Sequence, residues 1–226
     1  MNPVLRGSAA HVFVESLVAP QLDEADEHHL RRVLRIRETD VITVGDGAGR
    51  WVTARLSEGG LRVESEAVVE GAPPRSVVFC AIPKGDRPEW IVQKLTEIGA
   101  TSIGFIECAR SVVRWDAERS RRQLERLRRI AREAAMQSRR LWLPQILDVA
   151  SLAAAVAATE RCAIADPEGG ALAADIDTVL VGPEGGFTDS ELDLVPRRVS
   201  LSNNVLRVET AALAAALMLT QRNQSE

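Results

Sequence analysis

The chain carries Gly182-Pro183-Glu184-Gly185-Gly186-Phe187 directly behind the apolar run Thr178-Val179-Leu180-Val181. Further on stands Leu201-Ser202-Asn203-Asn204-Val205-Leu206-Arg207-Val208-Glu209-Thr210. Glycine has no Cβ, so a glycine-rich loop lets backbone approach a ligand closely. The first loop holds no Lys and no G-K-[ST] ending, which makes it a poor phosphate cradle. Its carboxylate, Glu184, would repel phosphate and suits a neutral or cationic ligand. Val181, Gly182, Pro183, Glu184, Gly185 and Gly186 thus form one candidate wall of a binding pocket, and Leu201, Ser202, Asn204 and Leu206 form a second. Arg207 and Glu209 add a permanent cation and a candidate general base beside it. The structural alternatives are an ion pair of Arg207 with Glu209 or Glu184, and a Glu209 that only complements a helix dipole.

These loops need elements to hold them. The β-branched run before Gly182 predicts a buried strand. Thr188 followed by Glu191 is a capping box that opens a helix over Asp189–Leu194, so Gly182–Phe187 lies at the carboxyl end of a strand, the usual ligand edge of an open α/β sheet. A short strand over Arg198–Leu201 leads through the second loop into a helix over Thr210–Leu219. That helix is apolar nearly all round, which predicts burial on every side, at a subunit interface or against the sheet. At ten residues it is too short to span a membrane.

Upstream, strands and helices alternate. Val77–Ile82, Ser102–Ile106 and Cys162–Ala165 read as strands, and Pro88–Ile98, Asp116–Ser138 and Leu152–Ala158 as helices. This is an α/β layer arrangement. Leu124, Leu127, Ile130, Ala131, Ala134 and Ala135 make the buried stripe of the long helix. Residues 11–70 read instead as short strands around one helix over Asp23–Arg37, with a hairpin about Asp46-Gly47-Ala48-Gly49. Gly71-Ala72-Pro73-Pro74 is the clearest linker. The boundary is placed there, giving domains 1–72 and 73–226.

A chain of 226 residues with a net charge of −4 does not advertise a nucleic-acid partner, but charge distribution decides that question. Eleven Arg stand against four acidic residues between Arg110 and Arg140. Arg31, Arg32, Arg35 and Arg37 form a second basic group. Arg87, Trp90 and Lys94 share a helical stripe behind Lys84. Phosphate candidates are therefore Arg31, Arg32, Arg35, Lys84, Arg87, Lys94, Arg132, Arg139 and Arg140, weighed against ordinary solvated helix faces. Trp90 reads as a core residue beneath its stripe. Three scattered cysteines and three histidines predict neither a disulfide framework nor a metal site. No signal peptide or long apolar stretch is present, so a cytoplasmic protein without membrane contact is expected.

Taken together, the motifs resemble the SPOUT class of RNA methyltransferases, and most closely the bacterial family that methylates uridine N3 in 16S ribosomal RNA. The resemblance covers nearly the whole chain. It rests on the two loops and on His28-His29-Leu30-Arg31-Arg32-Val33-Leu34-Arg35, Lys84-Gly85-Asp86-Arg87 with Glu89–Lys94 and Glu97, Arg110-Ser111-Val112, and Glu133–Arg139 with Pro144. It implies a trefoil-knotted α/β methyltransferase domain binding S-adenosylmethionine, a small N-terminal PUA-like β-barrel that helps hold RNA, an obligate homodimer, and 16S RNA or the small subunit as partner. Arg207 would then hold the target uridine or its phosphate and ease loss of the imide proton, and Glu209 would be the nearest candidate base. The family carries Gly and Arg where this chain has Ser202 and Asn204, and Thr where it has Val208. Alternatives are a ribose 2′-oxygen or guanine methyltransferase of the same fold, and a non-catalytic RNA-binding protein.

Overall fold

The computed structural model describes residues 2–222, and the chain divides into two compact units. The first comprises residues up to Pro73 together with Arg132–Leu143. It opens with a helical turn, α1 (Pro3–Gly7), and a strand, β1 (His11–Phe13). Helix α2 (Glu24–His28) follows, capped by the Asp23 side chain, which accepts from the Asp26 N–H. A π-helical turn over His29–Val33 continues it. The helix expected to reach Arg37 stops here, because Arg35 turns to a φ of 53°, outside helical space. Strands β2 (Ile42–Gly45), β3 (Arg50–Ser57), β4 (Gly60–Val63) and β5 (Val68–Val69) complete a five-stranded sheet. β1 runs parallel to β2, and the other pairings are antiparallel. The β2–β3 hairpin forms as its Gly-rich turn predicts, with positive φ at Gly47 and Gly49.

The second unit is a seven-stranded, all-parallel sheet. In chain order it contains β6 (Val77–Ala81), α3 (Arg87–Ile98), β7 (Ser102–Glu107) and α4 (Ala117–Gln137). Next come β8 (Gln145–Ile146), β9 (Ala150–Ser151), α5 (Leu152–Ala157) and β10 (Cys162–Gly170). The last elements are β11 (Thr178–Val181), α6 (Asp189–Leu192), β12 (Arg198–Val199) and α7 (Val208–Arg222). The strand order is β12-β10-β11-β6-β7-β8, with β9 also on β7. Every residue of β6 and β11 is buried, as expected of parallel strands covered on both faces. Val78, Cys80, Val179 and Val181 pack on one side with α3, α7 and Leu124, Leu127 and Ala131 of α4. Val77, Phe79, Leu180 and Ile164 pack on the other with Leu152, Ala155 and Val195. The final turns of α4 belong to the first unit, where the Arg132 guanidinium meets the buried Asp26 carboxylate at 2.5 Å.

Helix α7 is buried against the sheet on one side, while its other side carries an apolar residue that nothing among the described residues covers. Ala212, Ala215, Ala216 and Leu219 are buried, yet Leu217 is 42% exposed. Trp90 on α3 is also 42% exposed and is not a core residue. No helix among the described residues is long and apolar enough to cross a membrane.

Candidate active site

A cavity of about 340 Å³ opens at the carboxyl ends of three neighbouring strands, β12, β10 and β11. Parallel strands present these ends on one edge, so three loops converge there. Val181–Phe187 comes from β11, and Leu201, Ser202, Asn204, Val205 and Leu206 follow β12. Ala165, Asp166 and Pro167 of β10 form a third wall that sequence reasoning missed. The first residues of α7, Val208 and Ala211, close the floor.

The three glycines of the first loop have different local reasons. Gly186 sits at a φ of 69°, where L side chains are strained. A Cβ at Gly182 would stand 2.6 Å from the Phe187 ring, and one at Gly185 would touch the Arg110 side chain at 3.4 Å. Phe187 is buried and folds back under the loop. Arg110 donates from Nη1 to the carbonyls of Gly185 and Phe187 at 2.9 and 3.0 Å. Glu191 completes the capping box with Thr188 and also accepts from the Ala109 N–H at 2.7 Å. Burial alone pushes the Glu191 carboxyl up; the N–H donors of Thr188 and Ala109, the Thr188 hydroxyl and the Arg110 charge reverse this and hold it below the usual carboxylate range. Arg110 was legible only as part of a family-like block.

Beside this cavity lies a second, of about 610 Å³, sharing Val205 and Leu206 with it and lined further by Arg87, Trp90, Arg207 and Glu209. The ion pairing considered for Arg207 does not form. Arg87 takes both acids instead, at 3.8 Å from Glu184 and 3.6 Å from Glu209. Arg207 is exposed, with no ion-pair partner among the described residues. The Oε2 atom of Glu209 is buried and has no hydrogen-bond partner. An acceptor in that state favours a ligand N–H or O–H donor.

This arrangement can be set beside known proteins. A family model described as an RNA methyltransferase domain matches residues 71–220, and one described as an RNA methyltransferase PUA domain matches residues 22–65. The chain belongs to this RNA methyltransferase family. A relative from Mycobacterium bovis, named ribosomal RNA small subunit methyltransferase E, is 35% identical over 89% of this chain and 87% of its own. One of the same name from Bacillus subtilis is 30% identical over 94% and 96%. The crystal structure of a Neisseria gonorrhoeae ribosomal RNA small subunit methyltransferase E bound to S-adenosylmethionine superposes with a TM-score of 0.76 and 29% identity, covering 92% of this chain and 95% of that one.

The pocket of this family member fits that cofactor chemically. No Lys or Arg lines the cavity, and its charged residues are Asp166 and Glu184. That sign suits the sulfonium and ammonium charges of S-adenosylmethionine, and Val181, Pro183, Leu201 and Leu206 offer apolar walls to its adenine.

The basic residues are placed unevenly. Lys84, Arg87 and Lys94 lie in the second unit with the cavities, where Lys94 is paired to Glu97 at 2.9 Å. The first unit holds Arg31, Arg32, Arg35, Arg132, Arg139 and Arg140. Arg31 pairs with Glu27 at 2.8 Å and donates to the Ser57 carbonyl, while Arg32 and Arg35 are exposed. Arg139 donates to the carbonyls of Ser8 and Ala9. Burial pulls the Arg140 pKa down to about 10. Arg132, Arg139 and Arg140 thus have structural surroundings that periodicity did not reveal. No group of side chains able to hold a metal ion occurs among the described residues.

Proposed function

We propose that the protein methylates N3 of a specific uridine in 16S ribosomal RNA, using S-adenosylmethionine. The observation that carries this reading is the pairing of two adjoining cavities. One is uncluttered by cations and suits the cofactor; the other presents a cation and a buried, unpartnered carboxylate oxygen. S-adenosylmethionine supplies an electrophilic sulfonium methyl when bound. The chain must orient the uracil and remove its imide proton. Glu209 Oε2 is free to accept the N3–H, while Arg87 faces its other oxygen. Arg207 lies in the same cavity with its charge unpaired and stabilises the uracil anion as the proton leaves. Val181–Gly186, Leu201, Ser202, Asn204 and Leu206 hold the cofactor.

The remaining assignments follow from this role. The N-terminal unit, with its PUA-family match, holds RNA through Arg32 and Arg35. The apolar outer face of α7, with Leu217 open, and the exposed Trp90 suit a homodimer interface. The trefoil knot belongs to the fold as the family likeness implies it. The substrate places the activity in the cytoplasm.

Nucleoside mass spectrometry of small-subunit RNA from cells with and without this protein tests the reading. Loss of 3-methyluridine is expected; loss of a 2′-O-methyl or methylguanine mark instead would transfer the activity to another atom. Arg207→Ala should lower methyl transfer at least a hundredfold with cofactor affinity largely kept. Unchanged turnover would remove Arg207 from the mechanism. Near-normal turnover in Glu209→Gln would do the same for the base.

A further inference from the structure

A third cavity, of about 550 Å³, lies between the turn before α3 and the segment leading into α4, within the second unit. Lys84, Arg114, Arg119 and Arg126 line it together with Asp86 and Glu89. It shares Asp86 with the cavity that holds Arg87, Arg207 and Glu209. That cavity in turn shares Val205 and Leu206 with the cofactor pocket. The three spaces therefore adjoin in sequence along one unit.

Their charges are not equivalent. Arg114 faces Glu107 at 3.4 Å, and Arg126 faces Glu89 at 2.8 Å. Lys84 and Arg119 are exposed and have no ion-pair partner among the described residues. Val112, 73% exposed, adds an apolar surface on the same wall. Two unpaired cations, one before α3 and one on α4, match the phosphodiester backbone of a nucleic-acid strand.

We propose that this cleft is a subsite for the single-stranded ribonucleotides next to the target uridine, with Lys84 and Arg119 on their phosphates. The inference rests on the reading above, which puts the uracil in the neighbouring cavity. A single strand is required because a base can enter that cavity only once it is splayed out of a helix. Arg126 serves less, since Glu89 already neutralises it.

The test uses the full-length protein, labelled S-adenosylmethionine, and small ribosomal subunits from cells lacking the protein. The double variant Lys84→Ala/Arg119→Ala should raise KM for subunits at least tenfold, with kcat and cofactor Kd within twofold of the parent. The slope of log KM against log salt should fall by about 1.4, the loss of two single-strand phosphate contacts. Arg126→Ala should raise KM threefold or less, and the charge-preserving Lys84→Arg/Arg119→Lys should restore most of the parental KM. An unchanged KM and salt slope in the double variant, with label still entering uridine N3, would overturn the subsite and leave the methyltransferase reading intact. Failure of the parent protein to label uridine N3 would overturn that reading, and the subsite with it.

Discussion

The two main walls of the cofactor pocket are built on opposite plans. Gly182–Phe187 is tied from several directions: Arg110 grips two of its carbonyls, Phe187 packs beneath Gly182, and Glu191 fixes the turn into α6. The loop after β12 is anchored at its ends by Leu201 and Leu206, which pack on the core, but its tip over 203–205 is exposed and lightly bonded. Ser200 Oγ donates to the Ser202 carbonyl at 3.3 Å, the Asn204 N–H donates to Ser202 Oγ at 3.1 Å, and Val205 is 92% exposed. We expect the first wall to be preformed and the second, with its exposed and lightly bonded tip, to order further on binding. Preformed contacts lower the ordering cost of binding, and a loose loop incurs it on closure. Changes to the first wall should therefore reach cofactor affinity directly, and changes to the second should be small.

The largest effect is expected at Gly182. Any Cβ there meets the ring of Phe187, a residue buried in the core, so the ring or the loop must move. Overpacking of this kind costs about 1–3 kcal/mol, and Gly182→Val lies at the upper end. Calorimetric titration should show the Kd for S-adenosylmethionine rising about a hundredfold, with the far-UV spectrum of the protein retained. A Kd within threefold of the parent would mean that the first wall is not preformed.

Arg110→Ala comes next. It removes both guanidinium bonds to the loop carbonyls, and a tenfold rise in cofactor Kd is expected, about 1.4 kcal/mol. Arg110→Lys should not restore it, because an ammonium cannot reproduce the fixed fork that reaches two carbonyls. Full rescue by Lys would show that charge, rather than loop geometry, sets the affinity.

How much of this contrast was legible in the sequence depended on how local each cause is. Thr188 with Glu191, and the run Thr178–Val181, declare their elements within a few residues; the strand and the capping box form as expected, while the helix ends at Leu192, short of the expected Leu194. The third wall did not declare itself, because β10 continues through Asp166-Pro167-Glu168-Gly169-Gly170. The expected strand ends at Ala165, ahead of a Pro and glycines that disfavour strand interiors, and the strand survives by pairing irregularly with β12 between Ala165 and Gly170. The Arg87 bridge to Glu184 and Glu209 was invisible for a different reason: the partners lie far apart in sequence, and the helical stripe pointed Arg87 toward RNA. The end of α4 read as an RNA-facing basic run, whereas Arg132 is committed to Asp26. Periodicity reports which face a residue is on, not what meets it there.

Acid should separate the walls more gently. The Glu191 carboxyl titrates below its ordinary range, so its contribution is present above the unfolded value of about 4.3 and is lost as pH falls through the folded value. The second wall has no titratable side chain among Leu201–Leu206. Below about pH 4.5, hydrogen exchange at Gly185–Thr188 should therefore accelerate relative to its rate at pH 7, after correction for intrinsic exchange, and Glu191→Gln should show the acceleration already at pH 7. Parallel behaviour of both loops across this range would break the distinction.

The smallest effects belong to the second wall. Ser202→Ala removes one partly exposed hydrogen bond to the Asn204 N–H, and Asn204→Ala removes an exposed side chain. A hydrogen bond of this kind contributes about 0.5–1.5 kcal/mol net, and exposure places it at the low end. Each variant should change cofactor Kd by less than about threefold, even though both residues line the same cavity as Gly182. The sharper readout is exchange: adding S-adenosylmethionine should slow amide exchange over 203–206 more than over 184–187, because only the former has order left to gain. A tenfold loss of affinity in Ser202→Ala, with no ligand-dependent protection at 203–206, would show that this wall too is set before the cofactor arrives.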